Sequence, residues 1–139
     1  EVGLPSWLEE WRAGGWLDDP VARQAAMRAF ILYRVNQMAV ARVAASAAGS
    51  APGPAGSAAK LRSVAAFKER AYLGKALAGA AGMLSETAGH LEFLTAPSMS
   101  IRGGTDEVQR NIVGERILGL PVEPRVDKGV PFSDLKKSH

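Results

Sequence analysis

The chain has 139 residues and a formal charge of +3, enough length for one domain with an apolar core and too little charge to argue for nucleic acid. Hydrophobic residues make up 47% and charged residues 22%, the balance of an ordinary globular domain. Absence of cysteine excludes disulfide frameworks and cysteine-based zinc sites, and no apolar run approaches the ~20 residues of a membrane span.

Near the N-terminus stand Trp7, Trp11 and Trp16. Trp7 and Trp11 share one face if the segment is helical. Their plainest role is to anchor a short helix by packing; the alternative is a surface that docks on another domain or subunit.

Asp18-Asp19-Pro20 is a helix start, with Asp19 as N-cap and Pro20 in the first helical position. The helix is predicted from about Pro20 to Ala48. Met27, Ile31, Val35 and Met38 recur at helical spacing and mark the stripe expected to be buried. Val21, Phe30, Leu32, Val40 and Val43 widen the apolar surface and suggest burial on more than one side. Arg23, Arg28, Arg34 and Arg42 are the only charges on this helix. They could hold an anion such as phosphate; the plainer reading is that they pair with acids elsewhere or reach solvent.

Ser50-Ala51-Pro52-Gly53-Pro54 breaks the pattern. A second long helix is predicted from about Ala55 to Leu84, with Leu73, Leu77, Ala80 and Leu84 on one face. Gly74, Gly79 and Gly82 each weaken an isolated helix by about 1 kcal/mol relative to Ala and are read as close helix crossings. From Ser85 to Arg102 the pattern is irregular. His90, the only internal histidine, has no Ser, Cys or paired carboxylate at a recognisable spacing and is read as structural.

The last helix opens at Gly103-Gly104-Thr105-Asp106-Glu107. The glycines permit a sharp turn, Thr105 can cap the helix, and Asp106 and Glu107 complement its positive end. Val113, Ile117 and Leu120 supply an apolar edge, Gly119 ends the helix and Pro121 prevents its restart. The expected fold is all-α: an up-and-down bundle of three principal helices plus a short N-terminal helix. Residues 1–121 form the domain, and residues 122–139 an extended tail.

A glycine-rich turn opening a helix leaves backbone N–H groups unpaired and lets a ligand approach closely. Alone, such a turn is more often only a cap. The longer string from Gly103 to Pro121, GGTDEVQRNIVGERILGLP, is more specific. It resembles the C-terminal signature of acyl-CoA dehydrogenases, in which a Gly-Thr turn, a Gln-Arg pair and a Gly-Leu-Pro ending recur at this spacing. Asp18 to Gln24 is similar to the start of the second helix of that domain, and Ser57 to Leu61 to the start of the third.

The resemblance implies a helical domain that stacks behind FAD and forms the core of an oligomer. In the family, the turn before the last helix lies beside both the flavin and the acyl thioester. Carried over by position, Gly104, Thr105 and Glu107 would contact FAD near its diphosphate or adenosine portion, and the Gly103 N–H would polarise the thioester carbonyl of acyl-CoA. The implied reaction is α,β-dehydrogenation: a carboxylate removes the α-proton, a β-hydride passes to the flavin, and the electrons leave to a separate acceptor.

One departure matters. Many members carry the catalytic Glu where this chain has Gly103, and glycine cannot take a proton, so no catalytic residue is assigned in this chain. The base could lie on an earlier helix before residue 1, or in a partner subunit of a heteromer. The Arg-x-x-Phe-type flavin loop of the classical enzymes is also not visible, which favours a divergent branch.

A chain that begins at Glu1 rather than Met and resembles only the C-terminal domain is expected to be a fragment, inactive alone and prone to self-association as a homo- or hetero-oligomer. Acyl-CoA oxidase, which passes electrons to oxygen, shares the architecture. A non-enzymatic interaction domain would explain the composition but not the Gly103–Pro121 string. A DNA-binding regulator finds no compact helix-turn-helix here. No signal-peptide pattern opens the chain, and the cytoplasm is the default compartment.

Overall fold

The computed structural model describes residues 3–46, 53–84, 89–122, 124 and 129–134. Among the described residues five α-helices follow in order: α1 (Ser6–Ala13), α2 (Pro20–Ser46), α3 (Pro54–Leu77), α4 (His90–Thr95) and α5 (Asp106–Arg116). No strand occurs among the described residues. Helix α3 is the hub, packed against α2, α4 and α5.

The first core is built from the tryptophans. Trp7 and Trp11 are 7% and 6% exposed, and their rings meet edge to face with centroids 4.7 Å apart. Tyr33 of α2 adds a second edge contact at 6.1 Å. Helix α2 offers this cluster Ala26 and Ala29, while Leu73 and Leu77 of α3 close it. A Cβ at Gly74 would stand 3.0 Å from the Trp11 ring, so this glycine marks the close crossing its sequence context suggested. The indoles serve as packing anchors.

The start of α2 is formed as its sequence dictates. Asp19 Oδ1 accepts the Ala22 N–H at 2.8 Å, and Arg23 folds back to donate to the carbonyls of Leu17 and Asp18 at 3.0 and 2.9 Å. Arg28 reaches Glu69 of α3 at 3.5 Å, and Arg34 donates to Gln37 at 2.7 Å. Arg28 thus meets an acid of another helix, while Arg23 and Arg34 are used within α2 and its entry.

The predicted buried stripe of α2 is a correction. Met27, Ile31 and Met38 are 53%, 54% and 58% exposed, and Val35 is half-buried. The buried face carries Ala26 and Ala29, with Phe30 and Tyr33 beside them. At ~100° per residue that face lies on the far side of the helix from the methionines. Small side chains let α2 approach its neighbours closely, and the longer apolar chains are left outside.

Helix α3 is shorter than predicted, ending at Leu77 rather than Leu84. Gly79 takes a left-handed φ of +56°, which ends the helix as a C-terminal glycine does. Residues Gly79–Met83 then wind into a 3-10 turn, leaving Ala80 and Leu84 exposed. A Cβ at Gly82 would fall 2.6 Å from the Lys75 carbonyl oxygen, so the turn folds tightly onto the helix end.

The stretch predicted to be irregular contains α4 and a 3-10 turn, Ala96–Ser100, with Pro97 in its first positions, where its missing N–H costs nothing. Arg70 of α3 pairs with Glu92 at 2.7 Å, and the Tyr72 and Phe93 rings meet at 5.7 Å. His90 Nδ1 lies 3.1 Å from Lys75 Nζ, a role in joining α3 to α4. Beyond α5, Gly119 adopts a φ of +67° and the Leu120 N–H bonds the Gly114 carbonyl at 3.0 Å. Of the expected extended tail, Phe132–Asp134 form a single 3-10 turn. The loop expected at Ser50–Pro52 and the chain's last five residues lie outside the described residues.

Candidate functional site

The turn that enters α5 is defined by two consecutive left-handed residues. Gly103 and Gly104 have φ values of +66° and +95°, conformations that cost other residues roughly 1–2 kcal/mol. Thr105 follows in extended conformation as N-cap, and its Oγ1 accepts the Val108 N–H at 3.3 Å. The turn is exposed at both glycines, and their N–H groups meet no acceptor among the described residues. A Cβ at Gly103 would meet nothing within 4 Å.

Beneath this surface the turn is held by polar contacts. Gln109, only 8% exposed, donates from Nε2 to the Gly103 carbonyl at 2.7 Å. A Cβ at Gly104 would lie 2.6 Å from that nitrogen, so glycine at 104 is required both by φ and by the space Gln109 fills.

Asp106, the first residue of α5, ties the helix to α3. Its Oδ1 accepts from Lys60 Nζ at 2.7 Å, and its Oδ2 accepts from Ser100 Oγ at 2.6 Å. Lys68 Nζ in turn donates to Ser100 Oγ, and Lys60 reaches the Ser100 carbonyl at 3.5 Å. The Lys60 and Asp106 side chains are 20% and 15% exposed. Lys60 first, and then the Ser100 hydroxyl, hold the Asp106 carboxyl below the usual carboxylate range, as donors to the charged form do.

Glu107 lies outside this network and is exposed. Its own backbone N–H and then the Thr105 hydroxyl keep its carboxyl below the ordinary value, with Arg110 adding a weaker attraction. That guanidinium stands 3.8 Å away, one helical turn on. The Thr105 hydroxyl thus acts on Glu107 as well as accepting from the Val108 N–H.

The sequence-predicted residues Gly103, Gly104, Thr105 and Glu107 fall on one exposed turn. The glycines have no side chain to take a proton, and the Glu107 carboxyl is held below its ordinary value. Asp106 has both oxygens engaged. His90 belongs to the α3–α4 contact instead. Two hollows, one of about 320 Å³ including Arg42, Arg62 and Ile117 and one of about 290 Å³ beside the tryptophans, include no residue of the turn. The turn is thus an open, exposed shelf rather than the wall of a pocket.

Gln109, Lys60, Ser100 and Lys68 were not assigned a role in this site from sequence, and Asp106 was read only as a complement to the positive end of α5. Gln109 stood inside the signature string as half of its Gln-Arg pair. Lys60 and Asp106 are 46 positions apart, a separation for which no local pattern exists.

The described residues form an all-helical domain with a double-glycine, threonine-capped turn at the mouth of its last helix. The family model described as "Acyl-CoA dehydrogenase, C-terminal domain" matches residues 6–118. That span runs from the start of α1 past the end of α5, and the chain belongs to this family. No curated protein and no solved structure matches the chain.

Proposed function

We propose that the chain serves as the C-terminal domain of an FAD-dependent acyl-CoA dehydrogenase, contributing one wall of the flavin and thioester pocket and part of an oligomer core. The observation that carries this reading is the exposed turn from Gly103 to Glu107, whose glycine N–H groups meet no acceptor among the described residues, in a chain of this family.

The residues present fit a nucleotide cofactor in a particular orientation. Glu107 is anionic at neutral pH, so it repels a diphosphate and suits hydroxyl or amine donors such as those of a ribose or adenine. The Gly103 and Gly104 amides are the groups suited to an anionic or carbonyl oxygen. FAD, when bound, supplies the hydride acceptor. The chain's own residues orient the thioester: a donor at Gly103 stabilises charge on its carbonyl oxygen as the α-proton leaves.

The base must come from outside the shelf. A glutamate at position 103 would have space but would occupy a left-handed φ. This backbone therefore disfavours a side chain at the family's common base position. A second reading follows from that observation and from the exposed apolar chains of α2: a non-catalytic, oligomer-forming subunit of a heteromeric dehydrogenase, with the base on its partner.

The test is anaerobic titration of the full-length protein with acyl-CoA while the flavin spectrum is followed. Bleaching by the protein alone supports the enzyme reading. Bleaching only after a second subunit is added supports the heteromeric one. A protein that binds no flavin in either setting contradicts both.

A further inference from the structure

We infer that Gln109 is a positioning residue that sets the direction of the Gly104 N–H and so makes that amide a ligand-facing donor of the shelf; this rests on the flavin and thioester reading above. The peptide joining Gly103 to Gly104 is trans, as the described chain has no cis bond. In a trans peptide the C=O and the N–H point in opposite directions. Gln109 Nε2 holds the Gly103 carbonyl at 2.7 Å from the buried side. The Gly104 N–H of the same peptide is therefore turned away from Gln109, toward the exposed side of the turn.

Two observations distinguish this from ordinary packing. First, Gln109 is the one buried polar side chain among the described residues, and its amide is used on the backbone of the turn rather than on a neighbouring helix. Second, the peptide lies between two left-handed glycines, whose backbone is otherwise free to flip because neither has a Cβ to resist rotation. Without a hold on its carbonyl, the Gly103–Gly104 plane has no other hydrogen bond to fix it among the described residues. Gln109 thus supplies orientation where the glycine pair supplies only freedom, and a pre-aimed donor meets a ligand oxygen without first being ordered.

The experiment compares Gln109→Met and Gln109→Glu in the full-length flavoprotein, with acyl-CoA as substrate and a dye as electron acceptor. Gln109→Met keeps the shape and loses the donor. It is expected to weaken FAD binding by about tenfold at every pH, read as flavin retained on gel filtration and as activity at limiting FAD, with the Tm of the apoprotein within a few degrees of wild type. Gln109→Glu regains a donor only when protonated, so its FAD binding relative to wild type is expected to rise as pH falls, and purely structural damage would not produce that pH dependence. Wild-type FAD binding in Gln109→Met, or equal impairment of both variants at all pH values, would overturn the inference. A wild-type protein that neither binds flavin nor turns over would instead remove the reading on which it rests, and the inference with it.

Discussion

The two ends of this domain are held together by different physics. At one end Trp7, Trp11, Ala26 and Ala29 pack with Leu73 and Leu77 into an apolar cluster, maintained by area removed from water. At the other, the mouth of α5 is held by Lys60, Ser100, Lys68 and Asp106 and by the Gln109 amide. Packing tolerates approximate geometry, whereas a hydrogen-bond network fixes direction. Stability is concentrated at the tryptophan end, and orientation at the end that presents the shelf.

The sharpest way to break this comparison is to attack the apolar end. Trp11→Ala empties the space between α1 and α3 and is expected to cost about 3–5 kcal/mol, read as a lowered denaturant midpoint. If the midpoint hardly moves, the tryptophan cluster is not the main source of stability.

The polar end should instead reveal itself through pH. The Asp106 carboxyl titrates below its ordinary value, so its contribution is present above the unfolded pKa of about 4 and is lost as pH falls through the lower folded value. In thermal melts from neutral to acid pH, Lys60→Met and Asp106→Asn are expected to lower Tm near pH 7. Their difference from the parent should shrink as the pH drops below about 4. A constant difference across the range would mean that the Lys60–Asp106 contact is not electrostatic in origin.

The two glycines of the shelf separate steric from conformational demands. Gly103→Ala meets only the left-handed φ and should cost about 1 kcal/mol. Gly104→Ala adds a Cβ 2.6 Å from Gln109 Nε2 and should cost more, roughly 2–3 kcal/mol. Equal effects in the two variants would show that Gln109 yields freely and does not hold the turn.

The smallest expected effect is on the outer face of α2. Met27→Gln with Ile31→Gln should change monomer stability by only about 0.5 kcal/mol per site, because both residues are exposed. Self-association, followed by sedimentation, should weaken. A large loss of monomer stability would return these residues to the core where helical periodicity first placed them.

That last case marks where the sequence is informative and where it is not. The Asp19-Pro20 and Thr105 caps were legible because caps depend on neighbours three residues away. The pairing of Trp7 with Trp11 was legible for the same reason. Which face of α2 is buried was not, since apolar residues surround the helix and only the tertiary fit favours alanine over methionine at the crossing. The end of α3 was missed because Gly74, Gly79 and Gly82 look alike in sequence. One lies against an indole, one takes a left-handed φ and one sits over a carbonyl. The shelf was visible as a motif, but its supports were not: Gln109 and Ser100 act across six residues, a spacing no cap pattern covers, and Lys60 across 46.

The most direct test of the central claim is hydrogen exchange on the full-length protein, with and without FAD and acyl-CoA. The account predicts that the amides of Gly103 and Gly104 exchange fast in the free protein and are protected by ligand, while Trp7, Trp11 and Ala29 are unchanged. Protection confined to other parts of the chain, with the Gly103–Glu107 turn exchanging equally fast in both states, would contradict the assignment of this turn as the ligand-facing element.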